Sequence, residues 1–281
     1  MTAFAKQFTT VCGLKQHIQW QVLTSPNAFH RPNYQADIVV LDDPYDVKIH
    51  QVIKKGHLIS NHDFNTQPLS FAKNTMNFSL SPANLQLPLN STTANIIQVI
   101  PNHIETEHLV EPVLIHNGTF CPDTVKDQLK MVVVERHHHT GKIGKAIVKG
   151  FNLTHGAVAS SIAHDSHNII AVGTNDADLF AAIHHLQKVG GGITVFANHH
   201  ELATLPLQIG GLMSNLSYKE TAQKLNAITA AYQSISRPIT FNPFITLSFL
   251  ALPVIPTLKL TARGLYDFDQ QKFIPIEASI N

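Results

Sequence analysis

Two short runs of small and β-branched residues, Gly156–Ile162 and Ile169–Gly173, constrain this chain more than any other feature. Both read as buried β-strands. Between them lies Ala163-His164-Asp165-Ser166-His167-Asn168, with five polar side chains in a row. A segment of that polarity inside a core would leave donors and acceptors unpaired, so it must be a loop at a strand end. Loops anchored on a rigid scaffold are where catalytic and binding groups concentrate.

The rest of the pattern extends a mixed sheet around this pair. Asp37–Leu41 and Val47–Ile53, separated by Asp42-Asp43-Pro44-Tyr45 and closed by Lys55-Gly56, read as a β-hairpin or meander. Residues 60–95 are rich in Asn, Ser, Pro and Thr and read as a connecting, partly extended segment. Strands are expected at 94–101, 112–117 and 129–135, the last leading into a polar, glycine-spaced loop over 137–144. A helix over 176–188 has Asn175 or Thr174 as N-cap, acids in its first turn and Gly190-Gly191-Gly192 as its stop. A strand follows at 193–196, and Pro206 argues against a central strand over 201–209. Tyr218–Ser234 places Leu225, Ile228, Ala231 and Tyr232 at helical spacing behind a Ser217/Glu220 capping box. From Phe244 to Phe273 the pattern reads as proline-broken apolar strands with a basic patch at Lys259 and Arg263.

Composition excludes several classes of function. The 281 residues carry 20 Lys and Arg against 19 acids, a formal charge of +1, with no basic run of the kind nucleic-acid binders show. The longest apolar stretch, Phe244–Ile255, is broken by Thr246, Ser248 and Pro253, so no membrane span is expected. Met1–Leu14 lacks the basic start and apolar core of a signal peptide. Cys12 and Cys121 have neither disulfide nor metal spacing, which points to a reducing cytoplasm. Trp20, Tyr34 and the 15 Phe residues form no recognisable stripe and read as core.

The anomaly is histidine, with 18 in the chain, several of them grouped as His137-His138-His139, His164 with His167, His184-His185 and His199-His200. Neighbours on a helix point about 100° apart, so at most one of His184 and His185 can face a site. Those two, and His199-His200, read as surface or structural.

Further motifs carry a family likeness. Val132-Val133-Val134-Glu135-Arg136-His137-His138, Thr140-Gly141, Ile143-Gly144 and Val148-Lys149-Gly150-Phe151 are followed by the opening cluster and by Val172-Gly173-Thr174-Asn175-Asp176. Gly190-Gly191-Gly192, Leu205-Pro206-Leu207, Gly210-Gly211-Leu212-Met213-Ser214 and Leu247–Pro256 complete the order. This series resembles the C-terminal domain of bacterial adenine deaminases, and Ala36–Asp43 with Val52–Gly56 resembles the β-domain that follows the barrel in amidohydrolases. The likeness spans roughly residues 36–275, most firmly 129–265. It implies an α+β fold, with a small β-domain remnant over 1–65 and a larger mixed-sheet domain over 66–281. It also implies a family reaction: adenine is hydrolysed to hypoxanthine and ammonia, in purine salvage or catabolism, by a water activated on Mn or Fe in a (β/α)₈ barrel.

That barrel needs about 200 residues or more, whereas only 35 precede the β-domain likeness, with Gln21–Tyr34 a poor match and no early His-x-His. The expected protein is thus a C-terminal half, inactive alone, that works with a separate N-terminal barrel polypeptide; a homodimer is a further expectation. The alternative is a non-catalytic domain that binds a purine or a partner protein. Three readings of the polar cluster stay open. His164, Asp165 and His167 can be metal ligands, joined by His137 or His138 from the neighbouring loop. The same groups can line a substrate pocket, with Glu135, Arg136, Ser166 and Asn168 hydrogen-bonding a purine edge. Or they form a buried polar network, with Asp165 orienting an imidazole and Asn168 capping backbone groups.

Overall fold

The computed structural model describes residues 23–24, 35–43, 45–60 and 76–278. The readings of 1–14, Cys12, Trp20, Tyr34, the rest of 21–34 and the 61–75 part of the connecting segment lie outside the described residues. The chain forms two compact units, residues 1–70 and 71–281.

The first unit holds strands β1 (Leu23–Thr24), β2 (Ile38–Asp43), β3 (Lys48–Lys54) and β4 (His57–Leu58), paired antiparallel in chain order. It is the expected meander. Asp37 locks its last turn by accepting from Lys54 Nζ at 2.5 Å and Lys55 N at 2.7 Å, and these donors, Lys54 first, hold its carboxyl down to about 2. Leu41 is the one fully buried side chain among the unit's described residues, while Tyr45, Val47, Ile49 and Leu58 are exposed. Four strands with so little buried surface are weakly held by themselves.

The second unit begins with a 3₁₀ turn at Pro82–Leu85, followed by β5 (Thr93–Val99), β6 (Thr106–Pro112), β7 (Leu114–His116), β8 (Thr119–Cys121), β9 (Leu129–Val134) and β10 (Ile143–Lys149). Then come β11 (Ala157–Ser160), β12 (Ile169–Gly173), α1 (Asp176–Val189), β13 (Gly192–Ala197), β14 (His200–Pro206), α2 (Tyr218–Ile235), α3 (Pro243–Phe249), β15 (Leu258–Thr261), β16 (Gly264–Asp267) and β17 (Lys272–Phe273). Eight strands make one sheet in the order β14-β13-β11-β12-β9-β10-β5-β6, antiparallel except for the parallel β10–β5 pair. Strands β15–β17 and the β7–β8 hairpin form two small sheets. The fold is α+β.

The sheet is buried on both faces, which explains why β9 is apolar along nearly its whole length rather than alternating. Val132 and Val134 face α1, meeting Leu179, Ala182, Ile183 and Leu186. Met131 and Val133 face the opposite layer, built from Ile228 and Tyr232 of α2, Leu247 of α3, and Leu260 and Leu265 of the small sheet. Each of these larger side chains contributes roughly 1.5–3 kcal/mol by leaving water. Helix α1 starts as expected, Asn175 Oδ1 accepting from Asp178 N at 2.8 Å, and ends at Gly190, whose φ of 85° a side chain would strain.

Four expectations need correction. The run from Phe244 is a helix at its start, because Asn242 caps the amides of Phe244 and Ile245 and Pro243 occupies the first turn, where its missing N–H costs nothing. Lys259 is no surface charge: it is buried, donates to Ile104 O, Thr106 Oγ1 and Pro256 O at 3.1–3.2 Å, and burial pulls its ammonium down to about 8. The strand expected at 112–117 narrows to β7, Leu114–His116, and Pro112 instead closes β6, a strand over Thr106–Pro112 outside the expected ranges. The loop out of β9 ends at Lys142 and β10 begins at Ile143, so the loop closes two residues before the Gly144 end that the glycine spacing implied. Pro206, by contrast, closes β14 at the sheet edge, where a missing donor is tolerated.

Candidate functional site

Register brings the polar loops together. Val134 pairs with Ile143 on one side and Ile169 on the other, so the 135–142 and 161–168 loops leave the same end of the sheet. Ser160 pairs with Ile193, and Gly192 with Pro206, so the segment after β14 leaves that end too.

The base of this end is a braced network. Arg136 is wholly buried; its Nε–H donates to the carbonyl of His167, its NH2 to Gly210 O at 2.9 Å, and its amide to Asn168 Oδ1 at 3.3 Å. One side chain thereby ties three loops. Burial lowers its guanidinium to about 10, which leaves it charged at neutral pH. Gly211 leaves room for it: a Cβ there would lie 2.9 Å from the guanidinium nitrogens, at a φ of +76° that already favours glycine. Ser161 Oγ accepts from Gly192 N at 2.7 Å and donates to Gly211 O at 2.5 Å, fastening the same glycine from the other side.

Glu135 organises its own loop. Its Oε1 accepts from the amides of His137 at 2.6 Å and His138 at 2.8 Å, and its Oε2 from Thr140 N at 3.0 Å and Thr140 Oγ1 at 2.9 Å. Burial alone would raise this carboxyl, but the four donors win and hold it down to about 2. Glu135, Arg136 and Asn168 therefore face inward, with their main polar groups engaged by the protein itself.

Above this base, the remaining residues form a rim. His137 is half-buried, and its Nε2 lies 2.9 Å from the Ser166 carbonyl. A carbonyl only accepts, so the Nε2 carries the proton and Nδ1 is the acceptor in the neutral ring. His138, Asp165 and Ser166 are exposed. His164 is held by its amide to Ser248 O at 2.9 Å, with its ring 4.7 Å from Phe249 and 5.7 Å from His167. His167 adopts φ 47°, a conformation fixed by its amide to Ala163 O at 2.6 Å and by Arg136 on its carbonyl. Its Nδ1 is buried without a hydrogen-bond partner. Burial first, then the neighbouring His164 and Arg136, lower its pKa, so the ring is neutral at pH 7.

Sequence reasoning found both loops but not the parts that bind them, Ser161, Gly210-Gly211 and Phe249. The Gly-Gly pair was the available signal. Nor do His164, Asp165 and His167 assemble as a ligand set: among the described residues no three His, Cys, Asp or Glu side chains are placed to hold a metal ion. This donor arrangement does not fit Mn or Fe. His139 lies against Asn77 Oδ1 and Ser79 Oγ at 3.3 and 3.4 Å. His184 stacks on Phe180, and His185 packs on Phe196 beside Thr204 and Glu201. His199 takes its amide to Asp178 at 2.7 Å. These are structural positions, and Arg263, lying over the Phe273 ring at 5.0 Å, is another. No helix among the described residues is long and apolar enough to cross a membrane.

Residues 103–272 match the adenine deaminase C-terminal domain. The adenine deaminase of Lactiplantibacillus plantarum is 50% identical over 247 residues, covering 88% of this chain and 43% of that protein. Those of Geobacillus kaustophilus and Listeria innocua are 46% and 43% identical, over 88% and 93% of this chain and 44% and 48% of theirs. The chain spans less than half the length of these relatives. With the domain matched across most of the second unit, and the braced loops lying inside the match, the chain belongs to the adenine deaminase family.

Proposed function

We propose that this chain supplies one wall of an adenine deaminase pocket and positions the purine, while the barrel half of the family polypeptide supplies the metal-activated water. The reaction replaces the exocyclic amine of adenine with oxygen from water: the C6–N bond breaks, a C6–O bond forms, and ammonia leaves as hypoxanthine is produced. Mn or Fe, when bound in the barrel, provides the nucleophile by lowering the pKa of water. Purine salvage or catabolism in the cytoplasm is the setting this implies.

One observation carries the reading: a rim of polar side chains set on a base whose own hydrogen bonds are met. A neutral His167 can donate to or accept from the nitrogen edge of a purine, and the Nδ1 of His137 can accept from it, without the cost of burying a charge. Arg136 and Glu135 do not touch substrate in this scheme; they hold the histidines at fixed positions, which is how a site on loops gains precision.

The test is reconstitution. The full chain is co-expressed with the part of the L. plantarum adenine deaminase that it does not match, and adenine is supplied with Mn²⁺ or Fe²⁺. Hypoxanthine is expected from the pair, with less from a His167→Ala pair. A pair that forms a complex and binds adenine but never deaminates it supports the non-catalytic alternative instead.

A further inference from the structure

Among the described residues, only the C-terminal half of α2 is packed into the core. Its buried residues are Ile228, Ala231, Tyr232 and Ile235, whereas from Tyr218 to Ala227 every residue is exposed except the half-buried Thr221. The buried face nevertheless continues into the exposed half. Tyr218, Thr221, Leu225, Ile228, Tyr232 and Ile235 follow one another at spacings of three and four, so they share one stripe of the helix. Along that stripe Leu225 is 43% and Tyr218 72% exposed, and just ahead of the helix Met213 is 60% exposed.

The direction of the helix places this overhang. It begins soon after Pro206, at the end of the sheet that carries the rim, and finishes where Ile235 O accepts from Thr154 N at the opposite end. The overhang therefore stands at the rim's end and projects about 15 Å for its ten residues. Its start is well built, since Ser217 and Glu220 cap each other through contacts of 2.7–3.3 Å. A stretch of under three turns is marginal in water without packing, and an apolar stripe on it needs a partner surface.

We infer that the overhang of α2 is a docking arm for the catalytic half of the adenine deaminase, the part of the relatives' length that this chain does not span. The inference rests on the pocket reading above. The occupant follows from two facts: more than half of each relative's length lies outside the match, and the arm rises at the same sheet end as the residues that half must reach. One partner can then cover the stripe and close over the rim.

The experiment uses the full chain co-expressed with the unmatched part of the L. plantarum enzyme, that part checked for folding by circular dichroism. A one-to-one complex is expected. Combined Tyr218→Glu and Leu225→Glu is expected to weaken it by roughly tenfold or more, as loss of an interface anchor does. Val125→Glu, at an 82% exposed position before β9 and thus at the opposite sheet end, should leave it unchanged. Equal affinity for wild type and the double variant overturns the docking arm alone, as does a dimer of the chain by itself that Leu225→Glu dissociates. No complex at all with a folded partner half overturns both this inference and the pocket reading.

Discussion

The base and the rim of one sheet end come from the same two loops yet differ in how their polar groups are used. Glu135, Arg136, Ser161 and Asn168 spend their hydrogen-bonding groups on the protein, whereas His138, Asp165 and Ser166 face solvent and His167 has a buried Nδ1 without a partner. Neighbours in sequence thus do opposite work: Arg136 holds and His137 presents. Satisfied buried networks rigidify a fold, and unmet polar groups mark the places where something else is to bind.

The base depends most heavily on Arg136. Arg136→Met leaves the His167 and Gly210 carbonyls without their donor, and is expected to lower unfolding stability by about 3–5 kcal/mol in a urea titration. Gly211→Ala presses a methyl on the guanidinium and should cost about 2 kcal/mol. Glu135→Gln, which cannot accept from all four donors, should cost roughly 1–2 kcal/mol at neutral pH. The Glu135 effect has a definite pH dependence. Its folded carboxyl lies at about 2 against an ordinary 4.5, so the stability it contributes is present above pH 4.5 and is lost as pH falls through 2. The gap between wild type and Glu135→Gln should therefore close over that window; a gap independent of pH would show that the carboxylate does not hold the loop. At the rim, His138→Ala and Asp165→Ala should change stability by no more than about 0.5 kcal/mol. If they unfold the chain as Arg136→Met does, the division between base and rim is wrong.

Much of this architecture was legible from periodicity. The first-unit meander, α1 with its Asn175 cap, α2 with its capping box, and the presence of the two polar loops, expected at 137–144 and 163–168 and found at 135–142 and 161–168, follow from local pattern and turn chemistry. What escaped were decisions made by tertiary context. Lys259 read as surface because lysine is almost never buried, yet Ile104 O and Thr106 Oγ1 from a distant segment, with Pro256 O from its own, enclose it. Helix α3 was hidden because a proline that ends a strand can equally open a helix, and only the Asn242 cap distinguishes the two. In the site itself the sequence shows which residues are polar but not which way each one turns. Glu135 and Arg136 looked as suited to a substrate as His137, and pairing across β9, β10 and β12 turns them inward. For the metal reading, the spacing of His164 and His167 brings their rings to 5.7 Å, but among the described residues no third donor is placed with them to hold a metal ion.

Under the proposed function, this chain positions a purine for chemistry whose metal is held elsewhere. The most direct test is adenine turnover by the purified chain with Mn²⁺ or Fe²⁺, measured with and without the complementary half. No hypoxanthine above the metal-only blank is expected from the chain alone, and conversion is expected once the complementary half is added. Conversion by the chain alone that His164→Ala abolishes would contradict the proposed function and place a catalytic metal in this domain.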